Sequence, residues 1–348
     1  MSRRAAELDR AWGLRQDQAN KRRTLAQDAL FPLAFGQPTL RGVAHAVKSG
    51  GVGALPNARR RADEAAYQEV RCRSALNRVR NMPFEWTLNP YRGCTHGCHY
   101  CFARRYHRQF EMDAGDQFAS VILVKVNLPE VLARELRRPS WNGELVAVGT
   151  ATDPYQPIEG EYRLTRRALE CLAERRTPIG LVTKGPMVVR DIDVLQAMGR
   201  SARCTVYVSV PSVDEDAWRR LEPGTASPLQ RLRAVRRLRR AGINAGVLMA
   251  PLVPGVTTSR AALEATVRAI ADHDASFMGA NVLRLEGGTR DHFLAYLDRE
   301  YPHLAGGYRR LYPEGTRAAP AEYARAVKQS LAEVRAFVGL KDRDDHVP

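Results

Sequence analysis

Short apolar runs alternate with stretches of helical periodicity from residue 84 onwards, and this alternation constrains the fold more than any other feature. Extended segments are predicted over residues 83–88, 118–127, 144–152, 179–184, 204–210, 244–251 and 277–285. Helices are predicted over residues 128–138, 164–176, 192–198, 228–241, 260–273 and 291–300. Such alternation is typical of parallel βαβ units. About six units, counted from the strand at residues 83–88, indicate an α/β fold, an incomplete (βα)6 TIM-like barrel, more than an open doubly wound sheet.

The two ends of the chain differ from this alternating middle part. Residues 1–80 contain several Pro and Gly breakers and little periodicity, with a short helix expected around residues 62–80. A chain of 348 residues can form one large domain with extensions. We therefore expect a basic, partly disordered N-terminal extension over residues 1–80 and a partial barrel over 81–300. Residues 301–348 are expected to form a C-terminal helical segment that packs on the barrel.

Three of the six cysteines lie within eight residues, in the run Cys94-Thr95-His96-Gly97-Cys98-His99-Tyr100-Cys101. Such spacing is a ligand pattern rather than a disulfide framework. Three thiolates can hold three irons of a [4Fe–4S] cluster and leave the fourth iron open for a substrate or cofactor. The remaining cysteines are predicted to be structural: Cys72, Cys171 and Cys204.

The net charge of +16 raises the question of a nucleic-acid partner. Residues 1–80 hold 16 basic and 7 acidic residues, so this segment contributes +9 of that charge. Two interpretations stay open: a solvated extension, or an arm that contacts phosphates. The arginines of the predicted helix over residues 228–241 are expected to form its solvated face, opposite an apolar stripe.

Polar residues recur where the predicted barrel strands end. In barrels of this type the chemistry gathers at the C-terminal ends of the strands. These ends carry the cysteine run, residues 150–159, Lys184, Ser209, Ala250 and residues 284–286. No apolar run approaches the roughly 20 residues that span a membrane, and the N-terminus lacks the apolar stretch of a signal peptide. We therefore expect a cytoplasmic protein with no membrane partner.

Several segments resemble the radical S-adenosylmethionine (SAM) superfamily, and more narrowly its spore-photolyase-like branch. They are NPYRGCTHGCHYCFAR, TATDPYQPIE, LVTKG, VYVSVPS and MAPLVPG, and the similarity covers about residues 70–310. The resemblance implies two cofactors, a [4Fe–4S] cluster and SAM. It also implies reductive cleavage of SAM to a 5′-deoxyadenosyl radical that abstracts hydrogen from a substrate. A reducing partner such as flavodoxin or ferredoxin would supply the electron.

The resemblance also assigns expected roles to individual residues. Cys94, Cys98 and Cys101 would ligate iron. The expected SAM contacts are Tyr100 beside the adenine, Thr152 at the methionine amino group, Lys184 at the methionine carboxylate, Ser209 at the ribose or methionine, and the Ala250 backbone at the adenine.

Two positions depart from the spore photolyases. Those enzymes carry a hydrogen-donating cysteine near the end of the second strand, where this chain has Thr150. They also carry a relay tyrosine directly after the last cluster cysteine, where this chain has Phe102. Thymine-dimer lyase activity is therefore not expected. The substrate and the catalytic residues that act on it stay open, with a nucleic acid among the candidate substrates.

A second hypothesis makes the chain a zinc-stabilised nucleic-acid-binding protein without catalysis. The three clustered cysteines would then join His96 or His99 in a Cys3His site. The basic N-terminal arm would bind the nucleic acid.

Overall fold

A seven-stranded sheet organises the computed structural model of this chain, which describes residues 64–110 and 117–343. Within these residues the strands are β1 (Ala66–Val70), β2 (Leu76–Arg78), β3 (Trp86–Leu88), β4 (Tyr91–Arg92), β5 (Val121–Lys125), β6 (Val146–Val148), β7 (Ile179–Thr183), β8 (Cys204–Ser209), β9 (Asn244–Leu252) and β10 (Met278–Val282). The helices are α1 (Gln117–Ser120), α2 (Leu128–Glu135), α3 (Glu159–Tyr162), α4 (Leu164–Glu174), α5 (Ile192–Ser201), α6 (Glu215–Leu221), α7 (Pro228–Arg240), α8 (Arg260–Ala271), α9 (Gly287–Glu300), α10 (Pro302–Leu311) and α11 (Ala321–Phe337). Two 3₁₀ segments cover Phe102–Phe110 and Pro186–Asp191.

The large sheet has the strand order β10-β9-β8-β7-β6-β3-β2. Its first six strands in that order are parallel, and β2 joins the edge antiparallel to β3. Each parallel strand except the last is followed by at least one helix before the next parallel strand begins. The predicted partial barrel is therefore confirmed, and the six parallel strands correspond to the six predicted units.

The core lies against the apolar side chains of the parallel strands. Val148, Leu181, Val206 and Val247 are completely buried, and so is Leu88 in the strand that leads into the cysteine run. Parallel strands are covered on both faces, so they read as continuous apolar runs in the sequence. This property explains why the strand positions were predictable within a few residues.

Two predictions about the N-terminal half were wrong. A short helix was expected around residues 62–80, but the described part of this segment, from residue 64 onwards, contains β1 and β2. Residues 118–127 were expected to be extended throughout, but the segment begins in the short helix α1 before β5. Strand β5 lies between β1 and β4 in a separate three-stranded sheet. Pairing of β1 with β5, which is distant in sequence, overrides the local helical propensity of an Ala- and Glu-rich segment.

The C-terminal helix α11 packs against α8 and the edge strand β10 of the barrel. Tyr323 in α11 lies 3.1 Å from the Thr258 hydroxyl, and Glu333 pairs with Arg260 of α8 at 2.9 Å. The Met278 amide of β10 donates to the Lys341 carbonyl. Residues 1–63 lie outside the described residues, so the predicted N-terminal arm stays a prediction. No helix in the described part of the chain is long and apolar enough to cross a membrane.

Candidate active site

A cavity of about 440 Å³ opens at the C-terminal ends of the six parallel strands. It brings together all eight side chains and backbone positions that the sequence singled out. These are Cys94, Cys98, Tyr100, Cys101, Thr152, Lys184, Ser209 and Ala250. The volume falls in the range of small-molecule and cofactor sites.

The cysteine run forms a tight loop between β4 and the first 3₁₀ segment. Gly93 and Gly97 have φ angles of +80° and +60°, a left-handed conformation that favours glycine. A Cβ at Gly93 would lie 2.5 Å from the Val121 carbonyl oxygen, so the loop approaches β5 too closely for a side chain. The Cys94 amide donates to the Phe118 carbonyl at 3.0 Å. These contacts set the direction in which the loop enters the cavity.

A buried arginine closes the same loop from the other side. Arg104 is 2% exposed, and its guanidinium donates to the carbonyls of Cys98 and Gly97 at 3.1 and 3.0 Å. The guanidinium also lies 4.8 Å from the centre of the Phe118 ring. Backbone carbonyls in the loop are therefore satisfied from within the protein, and the thiols are left to face the cavity.

The three thiols are free and sit in an apolar setting. Cys94 and Cys98 are buried, whereas Cys101 is half-buried. Burial raises the pKa of the Cys98 and Cys101 thiols, although the Lys184 ammonium opposes the shift. Even with the Lys184 charge nearby, the raised pKa keeps these two thiols protonated at neutral pH in the absence of a metal. A bound metal would favour the thiolate form.

Each of the two histidines of the run has a partner other than a thiol. The His96 ring lies 3.4 Å from the Asp153 carboxylate, and the His99 ring lies 3.1 Å from the His292 ring nitrogen. Among residues 64–110 and 117–343, no three His, Cys, Asp or Glu side chains are grouped closely enough to hold one metal ion. The Cys3His arrangement of the second hypothesis is therefore not formed in the described residues.

Asp153 connects the end of β6 to the end of β7. Its carboxylate accepts from the Thr183 hydroxyl at 2.7 Å, the Lys184 amide at 2.6 Å and the Tyr155 amide at 2.9 Å. Burial alone would raise the pKa of Asp153, but the His96 charge and these hydrogen bonds outweigh burial and lower it. The buried Asp153 carboxylate therefore fixes the position of the Lys184 backbone, from which the Lys184 side chain extends.

Thr152 braces the cysteine loop directly. Its hydroxyl donates to the Gly93 carbonyl at 2.7 Å and accepts from the Gln156 amide at 3.1 Å. A hydroxyl has one proton and two lone pairs. One lone pair therefore remains for a donor such as an amino group, and the hydroxyl proton is already used.

A buried ion pair lies beneath the Lys184 side of the cavity. The Glu222 carboxylate, at the end of α6, pairs with Arg231 of α7 at 2.5 Å and accepts from the Tyr100 hydroxyl. The Lys184 ammonium lies 3.9 Å from Glu222 and 5.5 Å from the centre of the Tyr100 ring. Burial lowers the pKa of Lys184, but the neighbouring Glu222 carboxylate opposes burial, and the pKa of Lys184 is raised above its usual value. Lys184 is therefore a cation at neutral pH.

Arg231 corrects one prediction. The arginines of α7 were expected to be solvated, but Arg231 is completely buried. It lies one turn before Val235 and two turns before Leu238, on the apolar stripe of the helix. Its spacing from these two apolar residues was the sequence signal that could have identified a buried arginine. Nothing comparable pointed to Glu222, because its burial depends on contacts with Tyr100 and Lys184.

The mouth of the cavity combines an aromatic ring with guanidinium groups. Phe102 is 46% exposed and lines the cavity, as does Thr150. Arg105 forms an ion pair with Glu286, which joins the first 3₁₀ segment to the start of α9. Arg284 is exposed at the same mouth, and within the described residues its side chain has no hydrogen-bond or ion-pair partner. Arg105 was not singled out from the sequence, whereas Arg284 belongs to residues 284–286 at the end of the last predicted strand.

Comparison with known families supports the resemblance seen in the sequence. The model of the radical SAM superfamily matches residues 88–266. An uncharacterized protein of Mycobacterium tuberculosis (strain ATCC 25618 / H37Rv) is 38% identical over 289 residues, which cover 82% of this chain and 84% of that relative. A protein of Pseudomonas phage M6 named radical SAM Nalpha-GlyT isomerase is 29% identical over 170 residues. That alignment covers 49% of this chain and 33% of the phage protein.

Among solved structures, a spore photoproduct lyase mutant with bound AdoMet and dinucleoside spore photoproduct is similar. The TM-score is 0.61, the sequence identity is 17%, and the match covers 88% of this chain and 85% of that chain. A second spore photoproduct lyase mutant matches with a TM-score of 0.59 at 18% identity, over 88% of this chain and 85% of that one. At these identities the likeness shows a shared fold.

Proposed function

Since this chain belongs to the radical SAM superfamily, we propose that it is an enzyme that cleaves SAM reductively at the cavity described above. One observation carries the proposal: all eight sequence-predicted positions, from five separate parts of the chain, line one cavity. Their convergence at the strand ends is the arrangement expected for catalysis in a barrel.

The side chains present suit the two cofactors. Three free thiols from one loop line the cavity, which matches the ligand count of a [4Fe–4S] cluster with one open iron. Cys94, Cys98 and Cys101 would hold it. When bound, the cluster and SAM supply an electron and a 5′-deoxyadenosyl radical, which is chemistry that the protein itself cannot perform.

The residues of this chain would bind and orient SAM. The Lys184 ammonium offers a positive charge for the methionine carboxylate, and Thr152 retains a lone pair for the methionine amino group. The Tyr100 ring would pack beside the adenine, with the Ala250 backbone on the same moiety. Ser209, whose hydroxyl lies 3.4 Å from the Ala250 carbonyl, would bind the ribose or methionine.

For the substrate we propose a nucleotide unit of a nucleic acid. The exposed Phe102 ring can stack on a base, and the Arg284 guanidinium, which has no partner among the described residues, can meet a phosphate. A structural neighbour of the same fold was solved with a dinucleoside, which is a molecule of this class. Phe102 and Thr150 carry neither the hydroxyl relay nor the thiol of the photolyases, so repair of a thymine dimer is not proposed.

The proposal is tested by anaerobic reconstitution. The wild-type protein should bind about four irons per chain, turn brown and, after reduction with SAM, release 5′-deoxyadenosine and methionine. C98A should lose most of the iron and the product, because one of three ligands is missing. C171A is the matched control, because Cys171 lies in α4 away from the cavity. A colourless wild-type protein with one tightly bound zinc would refute the proposal.

A further inference from the structure

The buried pair of Glu222 and Arg231 lies outside the set of expected cofactor contacts, yet it contacts several of them. Arg231 is completely buried and the Glu222 side chain is 3% exposed. Buried charges are costly unless they are paired and hydrogen-bonded, so a pair at this depth calls for a role. Arg231 also donates to the Ser209 carbonyl at 2.8 Å.

Each oxygen of the Glu222 carboxylate has a different task. Oε2 accepts from Arg231 at 2.5 Å, which fixes the orientation of the carboxylate. Oε1 accepts from the Tyr100 hydroxyl and lies 3.9 Å from the Lys184 ammonium. One carboxylate therefore links two of the side chains that would meet SAM, and through Arg231 it reaches the backbone of a third, Ser209.

The charges of this group do not cancel. Two cations, Arg231 and Lys184, share the single Glu222 carboxylate, so one positive charge is in excess. Arg231 is closed off from the cavity, whereas the Lys184 side chain is 17% exposed and lines it. The excess charge is therefore presented to the cavity at Lys184, where a carboxylate ligand can meet it.

The chain that carries Glu222 is also fastened to the cysteine loop. The Leu221 carbonyl accepts from the His99 amide, and the Gly224 amide donates to the His96 carbonyl, both at 3.0 Å. The position of Glu222 is thus tied to the loop that carries Tyr100. A ligand that contacts both the cysteine loop and Lys184 needs the two in a fixed relative position, and these hydrogen bonds help to hold that position.

We propose that Glu222, held in place by Arg231, is a positioning residue that aligns Lys184 and Tyr100 for binding SAM. This inference rests on the proposed function, and it assigns a role that neither the cysteine motif nor the expected contacts include. Glu222 itself need not touch SAM, since it acts through the two side chains that it orients.

The test is a double-mutant cycle on the dissociation constant of SAM, measured by equilibrium dialysis with cluster-loaded protein. We expect E222Q to raise the dissociation constant about tenfold, the loss of one charge-assisted contact. In a K184M background, E222Q should add less than about twofold, because residues that act as a unit are not additive. Iron content is measured in parallel and should match the wild type. E215Q, which changes an acid at the other end of α6, is the control and should bind SAM normally.

Three outcomes would overturn the inference. They are an unchanged dissociation constant in E222Q, an equal effect of E222Q in both backgrounds, or a loss of iron without a change in affinity per cluster. If E222Q fails to fold, Y100F carries the test, since it removes only the hydroxyl that meets Glu222 and should raise the dissociation constant several-fold. Failure of the wild-type protein to bind SAM would refute the proposed function instead.

Discussion

Gly224 is the residue at which the α6–α7 connection comes closest to the cysteine loop. A Cβ at this position would lie 2.2 Å from the Thr95 carbonyl oxygen and 3.0 Å from the His96 Cα, both backbone atoms. Backbone cannot move aside as a flexible side chain can. Position 224 must therefore be a glycine for the α6–α7 connection to contact the cysteine loop and hold Glu222 beside it.

We expect G224A to push the connection away from the cysteine loop and to lower the iron content of reconstituted protein several-fold. Overpacking of this kind costs about 1–3 kcal/mol, and here the displacement falls on a loop that carries cysteines. Iron analysis and the visible absorbance after reconstitution measure the effect.

G199A is the matched control for this substitution. Gly199 is exposed in α5, and a Cβ there would meet nothing within 4 Å. This variant should keep its iron and gain up to about 1 kcal/mol in helix stability. Equal iron content in G224A and G199A would contradict the argument.

At the scale of elements, helix α2 carries a buried carboxylate that fastens the sheet edge. Glu135 accepts from the Ser74 hydroxyl at 2.8 Å and from the amides of Ala75 and Leu76 at 3.1 and 2.9 Å. These residues lead into β2, the strand that joins the sheet antiparallel to β3. The Glu135 carboxylate thus supplies the hydrogen-bond acceptor for backbone amides at the point where the chain enters the barrel, where no neighbouring strand in the described part of the chain supplies one.

We expect E135A to lower the free energy of unfolding by about 2–3 kcal/mol, because it leaves two buried amides without an acceptor. E130A, on the same helix, removes an exposed ion pair with Arg167 and should cost less than about 1 kcal/mol. Urea unfolding of both variants measures the difference. Equal midpoints would show that the three hydrogen bonds do not hold β2.

At the scale of the whole molecule, two parts of the chain are candidates for phosphate contacts, namely the basic N-terminal segment and Arg284. Residues 1–60 hold 11 basic and 4 acidic residues. Arg284 lies at the mouth of the cavity, in the described part of the chain. Both could contribute to nucleic-acid binding. The salt dependence of the affinity distinguishes their contributions, because each phosphate contact releases counterions and makes that dependence steeper.

We expect removal of residues 1–60 to flatten the salt dependence of oligonucleotide affinity, and R284Q to reduce its slope by about one. Filter binding across a salt series measures both. R200Q, an exposed arginine of α5 away from the cavity, should behave as the wild type. An affinity unchanged by the truncation would exclude the arm as the binding element. An unchanged slope in R284Q would refute a phosphate contact at the mouth.

The sequence by itself determined the barrel and the content of the cavity. Six apolar runs with helices between them leave little choice but parallel strands, and the C-terminal ends of parallel strands must meet at one edge. The residues at those ends, from Cys94 to Ala250, therefore converge in the structure as expected. Local sequence is sufficient to predict this convergence. In successive βαβ units each strand lies beside the one before it, so the residues after each strand lie at the same edge of the sheet.

Only the tertiary structure decided which charges are buried and which N-terminal segments pair. Strands β1 and β5 are separated by some 50 residues, and no local signal identifies such a pairing. Glu222 was not singled out from the sequence, and Arg231 was expected on the solvated face of its helix. The burial of both residues depends on contacts with Tyr100, Lys184 and Ser209. The burial of a residue depends on the residues that pack against it. For a residue on an outer helix, those neighbours come from distant parts of the chain, so local sequence does not identify them.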